Sequence, residues 1–292
     1  MQPTRQGWRF FIASLSLAAV PMTGQIVRPQ LGYVMDSGGG LRPVIGVAAA
    51  ASLGDSALDN AVSFACSAKL CLAKTDAALI PFAPANAAGA LTAPAESTPS
   101  LAGPALIAID DQAGGRAWIY FTQWRQGALW RNGTLTTIDF DPGGSVLSLR
   151  AAADGFDYAV ARYPSQGKFR RRAAPVWIEH YSASDGSITV VAPAATGATF
   201  ADPFAVTGVM LLEGGVLWGT SGELILTRPD GDRVEFPLPG ARAFFNAGRG
   251  YLEVVAAEGL WILRTDPGSE QLALLPGAPH EVPSAPAAEG AP

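Results

Sequence analysis

Histidine is scarce in this chain, which has only His180 and His280 among its 292 residues. Neither belongs to a recognisable catalytic motif. The sequence also lacks a Gly-x-Ser-x-Gly elbow and a glycine-rich phosphate loop with its lysine. His180 lies in a predicted strand beside Glu179, and neighbours in a strand point to opposite faces. We therefore predict no catalytic residue, no cofactor and no metal site, and interpret His180 as a surface or cross-strand side chain.

Charge is sparse as well. Charged residues make up 15% of the chain, the net charge is −5 and the isoelectric point is near 5.1. A nucleic-acid partner would require a basic face, so this class of function is excluded. Hydrophobic residues reach 49%, which is enough to build a large core and is not typical of a disordered chain.

The N-terminus carries an uncharged apolar run, Phe10 to Val20, which follows Arg5 and Arg9. About 11 residues are too few to span a bilayer, which needs roughly 20. A positive segment, a short apolar run and Pro21–Gly24 together predict an export signal over residues 1–24, cleaved near Gly24. The protein would then be periplasmic, extracellular or at the cell surface. An uncleaved anchor or an ordinary terminal helix is the alternative.

The only cysteines are Cys66 and Cys71. If Ala68 and Lys69 form a two-residue hairpin turn, Cys66 faces Cys71 in a non-hydrogen-bonded pair with Cα atoms ~4.5 Å apart. That separation is at the short end of what a disulfide accepts. A cross-strand disulfide suits an exported protein. Two buried thiols or a redox pair are the alternatives, although the spacing is not Cys-x-x-Cys.

The chain is organised by a repeat near its C-terminus. Val206–Gly240 and Arg242–Ala278 each contain four short apolar runs separated by glycine-bearing turns, and each carries Leu-Pro-Gly at or near its end. Further upstream, the hairpin dipeptides Asn-Gly or Asp-Gly recur between apolar runs. No helical period persists after the signal. One such unit is typical of a four-stranded propeller blade, which repeats every ~40–45 residues.

Counting the innermost strands gives starts near Ala61, Pro104, Val146, Val206 and Arg242. The sequence thus predicts an all-β propeller of five to six four-stranded antiparallel blades over residues 25–278. An insertion of roughly Pro164 to Pro175 lengthens the third interval. The N-terminal hairpin, which is similar to the last half of the final unit, is expected to close the ring by completing the C-terminal sheet. Residues 83–104 are expected to form a long loop or a poor outer strand, and residues 279–292 a disordered tail rich in Pro and Ala.

The hairpin also carries a resemblance. Leu31–Asp36 (LGYVMD) followed by Leu41–Gly46 (LRPVIG) resembles the opening of a group of uncharacterised secreted bacterial β-propeller proteins, whose later repeats belong to the YVTN/WD-type superfamily. Outside the hairpin the resemblance is only a repeat pattern. The YVTN tetrapeptide and the Gly-His and Trp-Asp signatures are absent. The resemblance therefore implies the fold and transfers no functional residue.

Two features stand out as candidate partner-binding residues. Lys168, Arg170, Arg171 and Arg172 form the one dense basic run of an acidic chain and lie in the insertion, where they could dock an anionic partner. A charged loop without a partner is the alternative. Trp124 and Arg125 stand at a strand end and could line a face or the central channel. Asp139–Gly143 could bind Ca²⁺ through loop oxygens, but Asp side chains capping turn amides are the simpler interpretation.

From these observations we expect an exported, non-enzymatic propeller that serves as a protein- or ligand-binding scaffold in the cell envelope. Its partner would be another envelope protein or an anionic surface ligand, with no transmembrane span once the signal is removed. The alternative is a propeller enzyme, a lactonase-like hydrolase or a quinone-cofactor protein, with its site in the central channel. A structural subunit of an envelope assembly is a third possibility.

Overall fold

The computed structural model describes residues 29–84, 96–111, 115–162, 176–191, 206–248 and 250–277. Within these ranges the backbone forms 23 β-strands and one short 3-10 helix, Ala48–Ala50. The strands make six sheets, and their pairings are antiparallel. The predicted all-β class is confirmed.

The N-terminal sheet has three strands, and the other five sheets have four strands each. The N-terminal sheet contains β1 (Gln30–Met35), β2 (Leu41–Ile45) and β3 (Ser52–Leu53). The next contains β4 (Ser63–Cys66), β5 (Cys71–Lys74), β6 (Ala78–Phe82) and β7 (Thr98–Pro99). It is followed by β8 (Ala105–Asp110), β9 (Arg116–Phe121), β10 (Gln126–Arg131) and β11 (Thr134–Ile138).

The third four-stranded sheet contains β12 (Ser145–Ala152), β13 (Gly155–Ala161), β14 (Val176–Ser182) and β15 (Ile188–Val190). The fourth contains β16 (Val206–Leu212), β17 (Gly215–Thr220), β18 (Leu224–Thr227) and β19 (Arg233–Phe236). The last contains β20 (Ala243–Gly248), β21 (Tyr251–Ala256), β22 (Gly259–Arg264) and β23 (Gln271–Leu274).

The hairpin turns follow the local sequence. Asn132 and Gly133 join β10 to β11 with φ angles of 48° and 80°, the left-handed pair that a tight two-residue hairpin demands. Asn and Gly are the residues that adopt this conformation at the lowest cost. The Asn-Gly dipeptide therefore fixes both the turn and the register of the flanking strands, as the sequence predicted.

The innermost strands close a ring. β4, β8, β12, β16 and β20 pack side by side in that order, and β20 packs against β4. They begin within two residues of the five predicted starts. The protein is a six-bladed β-propeller in which the N-terminal blade has three strands. Of the two predicted arrangements, six blades with one incomplete is the one observed.

The N-terminal blade closes the ring in a different way from the one expected. It does not complete the C-terminal sheet but forms its own sheet, wedged between the first and last four-stranded blades. Tyr33 and Met35 pack with Phe64 on one side, and Val34 packs with Val255 on the other. Both faces of β1 and β2 carry apolar side chains, and burying both requires a neighbour on each side.

The direction of β1 identifies its place in the blade. Gly32, near the start of β1, lies so close to the end of β20 that an added Cβ would come within 2.1 Å of the Ala247 carbonyl oxygen. Met35, at the end of β1, reaches Glu253, which pairs with Phe245 nearer the start of β20. β1 therefore runs opposite to β20, as the second strand of each blade does. Among the described residues this blade has no innermost strand.

The ring has two ends. We call the upper end the one where each innermost strand begins, and the lower end the one where it ends. At the lower end, four consecutive blades each donate from a cationic side chain to a backbone carbonyl of the next blade: Lys69 to Asp111, Arg116 to Ala153, Arg150 to Leu212 and Arg228 to Thr265, at 2.7–3.1 Å. These links hold neighbouring blades in one common orientation.

Aromatic side chains fill the space between blades. Phe140, on the linker between β11 and β12, contacts the rings of Tyr120, Phe156, Tyr158 and Tyr181 with centroids 4.9–5.8 Å apart. Trp118, Trp130 and Trp218 are buried, as expected for tryptophans that pack between sheets. Trp124 and Trp177 are the exceptions and are exposed.

Cys66 and Cys71 face each other across the β4–β5 hairpin, with Cα atoms 4.1 Å apart and Sγ atoms at bonding distance. Ser67 donates its backbone N–H to Leu70, which leaves Ala68 and Lys69 as the turn. The predicted pairing is therefore confirmed. The sulfurs are buried against Tyr33 and Met35 of the closing blade.

Several predicted segments lie outside the described residues: the export signal, the insertion with Lys168, Arg170, Arg171 and Arg172, His280 and the C-terminal tail. In the part of the chain that the structure describes, none of the helices has the length and apolar character needed to cross a membrane.

Candidate functional site at the upper end

The turn Thr122–Arg125 joins β9 to β10 at the upper end, and it is fixed to the linker that precedes β8. Trp124 donates its indole N–H to the Ala102 carbonyl at 3.0 Å, and the Thr122 hydroxyl donates to the Pro104 carbonyl at 3.3 Å. Gln123 lies directly over Gly103, where an added Cβ would come within 2.5 Å of its side-chain oxygen. The indole is thus held in place while 56% of Trp124 stays exposed.

Arg125 occupies an uncommon backbone conformation. Its φ angle of 51° places it in the left-handed region, which costs a non-glycine residue roughly 1–2 kcal/mol. Its guanidinium lies 3.8 Å from the Asp141 carboxylate, and the two side chains are 62% and 86% exposed. Asp141 is itself oriented, because its Oδ1 accepts the Gly143 backbone N–H at 3.0 Å.

This last contact agrees with the turn-cap interpretation of Asp139–Gly143. Asp141 caps a turn amide, and Asp139 offers its backbone carbonyl to the Tyr181 hydroxyl at 3.2 Å. Within the described ranges, no group of three or more His, Cys, Asp and Glu side chains is arranged to hold a metal ion.

Beneath Asp141 lies a buried polar network. The Glu179 carboxylate accepts the Tyr158 hydroxyl at 2.6 Å and both terminal guanidinium nitrogens of Arg162. Arg162 also donates to the Pro142 carbonyl at 3.1 Å, which ties the end of β13 to the linker that carries Asp141. Burial, followed by the hydrogen bond to Glu179, raises the pKa of Tyr158 far above its usual value, so the phenol stays protonated.

Tyr120 lies between this network and the turn at Arg125. Burial raises the pKa of the Tyr120 phenol, and the neighbouring Arg125 guanidinium partly counteracts this. The upper end therefore carries a continuous polar strip across two adjacent blades, from Trp124 and Arg125 through Asp141 to Arg162.

The insertion begins and ends at the same end of the ring. β13 ends at Ala161 and β14 begins at Val176, both at the upper end. Arg162, the last described residue before the insertion, is part of the polar strip. Trp177, just after the insertion, is 45% exposed. The two predicted partner-binding segments are thus anchored to the same end of neighbouring blades, which sequence alone did not indicate.

His180 belongs to a second polar cluster, at the lower end. It lies directly across from Asp157, with 2.8 Å between its Nδ1 and the Asp157 carboxylate, and its Nε2 lies 3.1 Å from Asp154. Arg150 faces Asp157 from β12 and also donates to the Leu212 carbonyl of the next blade. The expectation of a cross-strand histidine is confirmed. The Asp154–Gly155 turn sets the register of β12 against β13, but β14 follows β13 through the insertion, so the sequence could not give the pairing of Asp157 with His180.

Glu253 was not foreseen as a polar residue of interest. It lies in the middle of β21 and has no exposed surface, and its Oε2 accepts the Met35 backbone N–H at 3.0 Å. Its Oε1 has no hydrogen-bond partner among the described residues. Burial raises the pKa of this carboxyl, which lies at the seam of the ring, well above its usual value.

Comparison with known proteins assigns the chain to no family. No family model and no curated protein matches the chain. Among solved structures, it is similar to a protein from Lactobacillus plantarum (13% identity over 85% of this chain and 95% of that one, TM-score 0.48) and to virginiamycin B lyase from Staphylococcus aureus (12%, 86% and 93%, 0.40). It is also similar to BBS1N crystallised in complex with ARL6DN (11%, 84% and 75%, 0.42). With identities this low and TM-scores below 0.5, these likenesses carry no functional argument.

Proposed function

We propose that the protein is an exported, non-enzymatic propeller that binds a partner in the cell envelope through the upper end of its ring. The observation that carries this proposal is the common location of two features: the fixed, exposed turn with Trp124 and Arg125, and the two anchor points of the insertion that holds Lys168, Arg170, Arg171 and Arg172. A rigid ring that presents loops on one face is a common design for binding.

The Cys66–Cys71 pair supports the export part of the proposal, since disulfides persist mainly outside the reducing cytosol. The partner class follows from charge. Four cations within five residues, on a chain of net charge −5, favour an anionic face of another envelope protein or an anionic surface ligand.

The test is capture of a partner from the envelope fraction of the native host. The variant Arg170→Ser/Arg171→Ser/Arg172→Ser should fold normally and lose most of the captured partner. A matched control removes three arginines from the lower end, Arg131→Ser/Arg233→Ser/Arg264→Ser, and changes the net charge by the same amount. If both variants lose the partner equally, only bulk charge matters; if neither does, the insertion is not the docking site.

Native mass spectrometry of protein purified gently from its host separates this proposal from the enzyme alternative. A bound protein with no metal and no quinone cofactor is the expected result. A stoichiometric metal or quinone-cofactor mass would contradict it. The same spectrum reports whether residues 1–24 have been removed.

A further inference from the structure

At the upper end, three neighbouring side chains of different chemistry are each held in position while remaining exposed. The Trp124 indole is fixed through its N–H and the Asp141 carboxylate through the Gly143 amide, and the Arg125 guanidinium lies 3.8 Å from that carboxylate. Fixed side chains lose little conformational entropy when a ligand binds. Such an arrangement is pre-organised for a small, well-defined chemical group.

We propose that Trp124, Arg125 and Asp141 form a subsite for one pyranose ring of an envelope glycan. This inference rests on the proposed function, because it names the ligand class for the same end of the ring. The proposed function assigns docking to the insertion, and this inference adds recognition of a sugar ring by Trp124, Arg125 and Asp141.

The chemistry of a pyranose matches the three groups. Its C–H face is apolar and flat, and it covers an exposed aromatic face such as that of Trp124. Its hydroxyls both donate and accept hydrogen bonds. Arg125 can only donate and ionised Asp141 can only accept, so one hydroxyl-bearing ring satisfies both. Hydrogen bonds to charged groups are also the stronger kind.

A protein partner fits these three residues less well. Tryptophan and arginine are frequent in protein interfaces, but the tryptophan anchors of such interfaces enter desolvated pockets, and acidic residues are depleted there. Here the tryptophan lies on an open surface beside an exposed cation and an exposed anion 3.8 Å apart. Covering that pair with a protein surface would remove water without replacing its hydrogen bonds, whereas hydroxyl groups replace them.

Binding to a printed panel of pyranose oligosaccharides, half neutral and half containing uronic acids, tests the inference. We expect at least one glycan to bind, and Trp124→Ala and Asp141→Asn each to weaken that binding by at least about tenfold. Trp124→Phe, which keeps an aromatic face, should retain a measurable part of it. Arg233→Ser, which removes an exposed arginine from β19, serves as the control and should bind normally. If Arg125→Ser loses binding only to the glycans that contain uronic acids, the ligand includes a carboxylate that Arg125 contacts.

The inference is overturned if no glycan of the panel binds, or if Trp124→Ala binds every glycan as well as the parent protein does. The proposed function is tested independently of this inference. Protein capture that depends on the arginines of the insertion, together with an empty panel, would leave the docking proposal standing and remove only the glycan subsite. Glycan binding that depends on Trp124, with capture unaffected by the arginines, would do the reverse.

Discussion

Met35 donates its backbone N–H to the buried carboxyl group of Glu253 across 3.0 Å, joining two residues 218 positions apart at the seam of the ring. β1 belongs to the blade that lacks an innermost strand among the described residues, and this donor lies at its end. The carboxyl group thus supplies an acceptor that a neighbouring strand would otherwise provide. Closure of the ring therefore involves one buried carboxyl group as well as apolar packing.

The Glu253 carboxyl makes stability depend on pH. Burial raises its pKa in the folded state well above its usual value, so the folded state binds a proton that the unfolded state loses. Its contribution is complete below the unfolded pKa of ~4.3 and is lost as pH rises from there toward the folded pKa. Thermal unfolding of Glu253→Gln should show a smaller loss of stability between pH 4.5 and 8 than the parent protein, because glutamine has no proton to lose. Identical pH profiles would contradict the assignment.

Glu253→Leu separates the role of the acceptor from that of the charge. Leucine also removes the ionisable group, but it leaves the Met35 N–H buried without a partner, which costs roughly 1–3 kcal/mol. Urea unfolding at pH 4.5, where the parent carboxyl keeps nearly its full contribution, should rank parent and Glu253→Gln close together and Glu253→Leu lowest. Equal stability of the two variants would show that the bond to Met35 contributes nothing.

The sequence predicts the course of the backbone better than it predicts the surroundings of individual side chains. The turn dipeptides and the periodic apolar runs give the innermost strands to within two residues, because local chemistry determines hairpins. The seam could not be foreseen in the same way. Glu253 and Lys74 are of residue types that usually lie on the surface, yet both are fully buried, and burial lowers the pKa of Lys74. The buried ammonium group of Lys74 donates a hydrogen bond to the Asp76 carbonyl at 2.9 Å.

The same distinction holds for the candidate site. The sequence singled out Trp124 and Arg125, because an aromatic residue and a cation at a strand end are visible in one dimension. It could not show that Asp141, 16 positions later, comes within 3.8 Å of Arg125, since that contact depends on how two blades pack. The predicted role of Lys168 and its neighbouring arginines stays a prediction.

The Cys66–Cys71 bond should contribute modestly to global stability. It closes a loop with a sequence separation of 5, for which loss of chain entropy in the unfolded state predicts about 2 kcal/mol. Because the sulfurs also pack against Tyr33 and Met35, the double variant Cys66→Ala/Cys71→Ala should in addition loosen the closing blade. Urea unfolding measures the first effect, and hydrogen exchange of the β1 and β2 amides measures the second. Unchanged hydrogen exchange in β1 would show that the disulfide does not contribute to closure of the ring.

The arginine links at the lower end should matter more than exposed ion pairs. Arg150 bonds both Asp157 and the Leu212 carbonyl of the next blade, and hydrogen bonds to charged groups contribute about 1.5–3 kcal/mol. Arg233, which pairs with Glu223 and Glu235 on the surface, should contribute at most ~1 kcal/mol. Arg150→Ala should therefore lower the free energy of unfolding clearly more than Arg233→Ala. Equal losses would mean that the inter-blade bond adds nothing.

Arg125 should show opposite effects on stability and binding. Its left-handed backbone is costly for arginine and inexpensive for asparagine or glycine, so Arg125→Asn should raise the free energy of unfolding by up to ~1 kcal/mol. The same change removes the cation beside Asp141 and should weaken the partner or glycan held at the upper end. Thermal melting and binding measured on one preparation test both signs. Such a trade-off is typical of a residue retained for function at a strained position. A stabilised variant with unchanged binding would show that the arginine side chain has no role at this end of the ring.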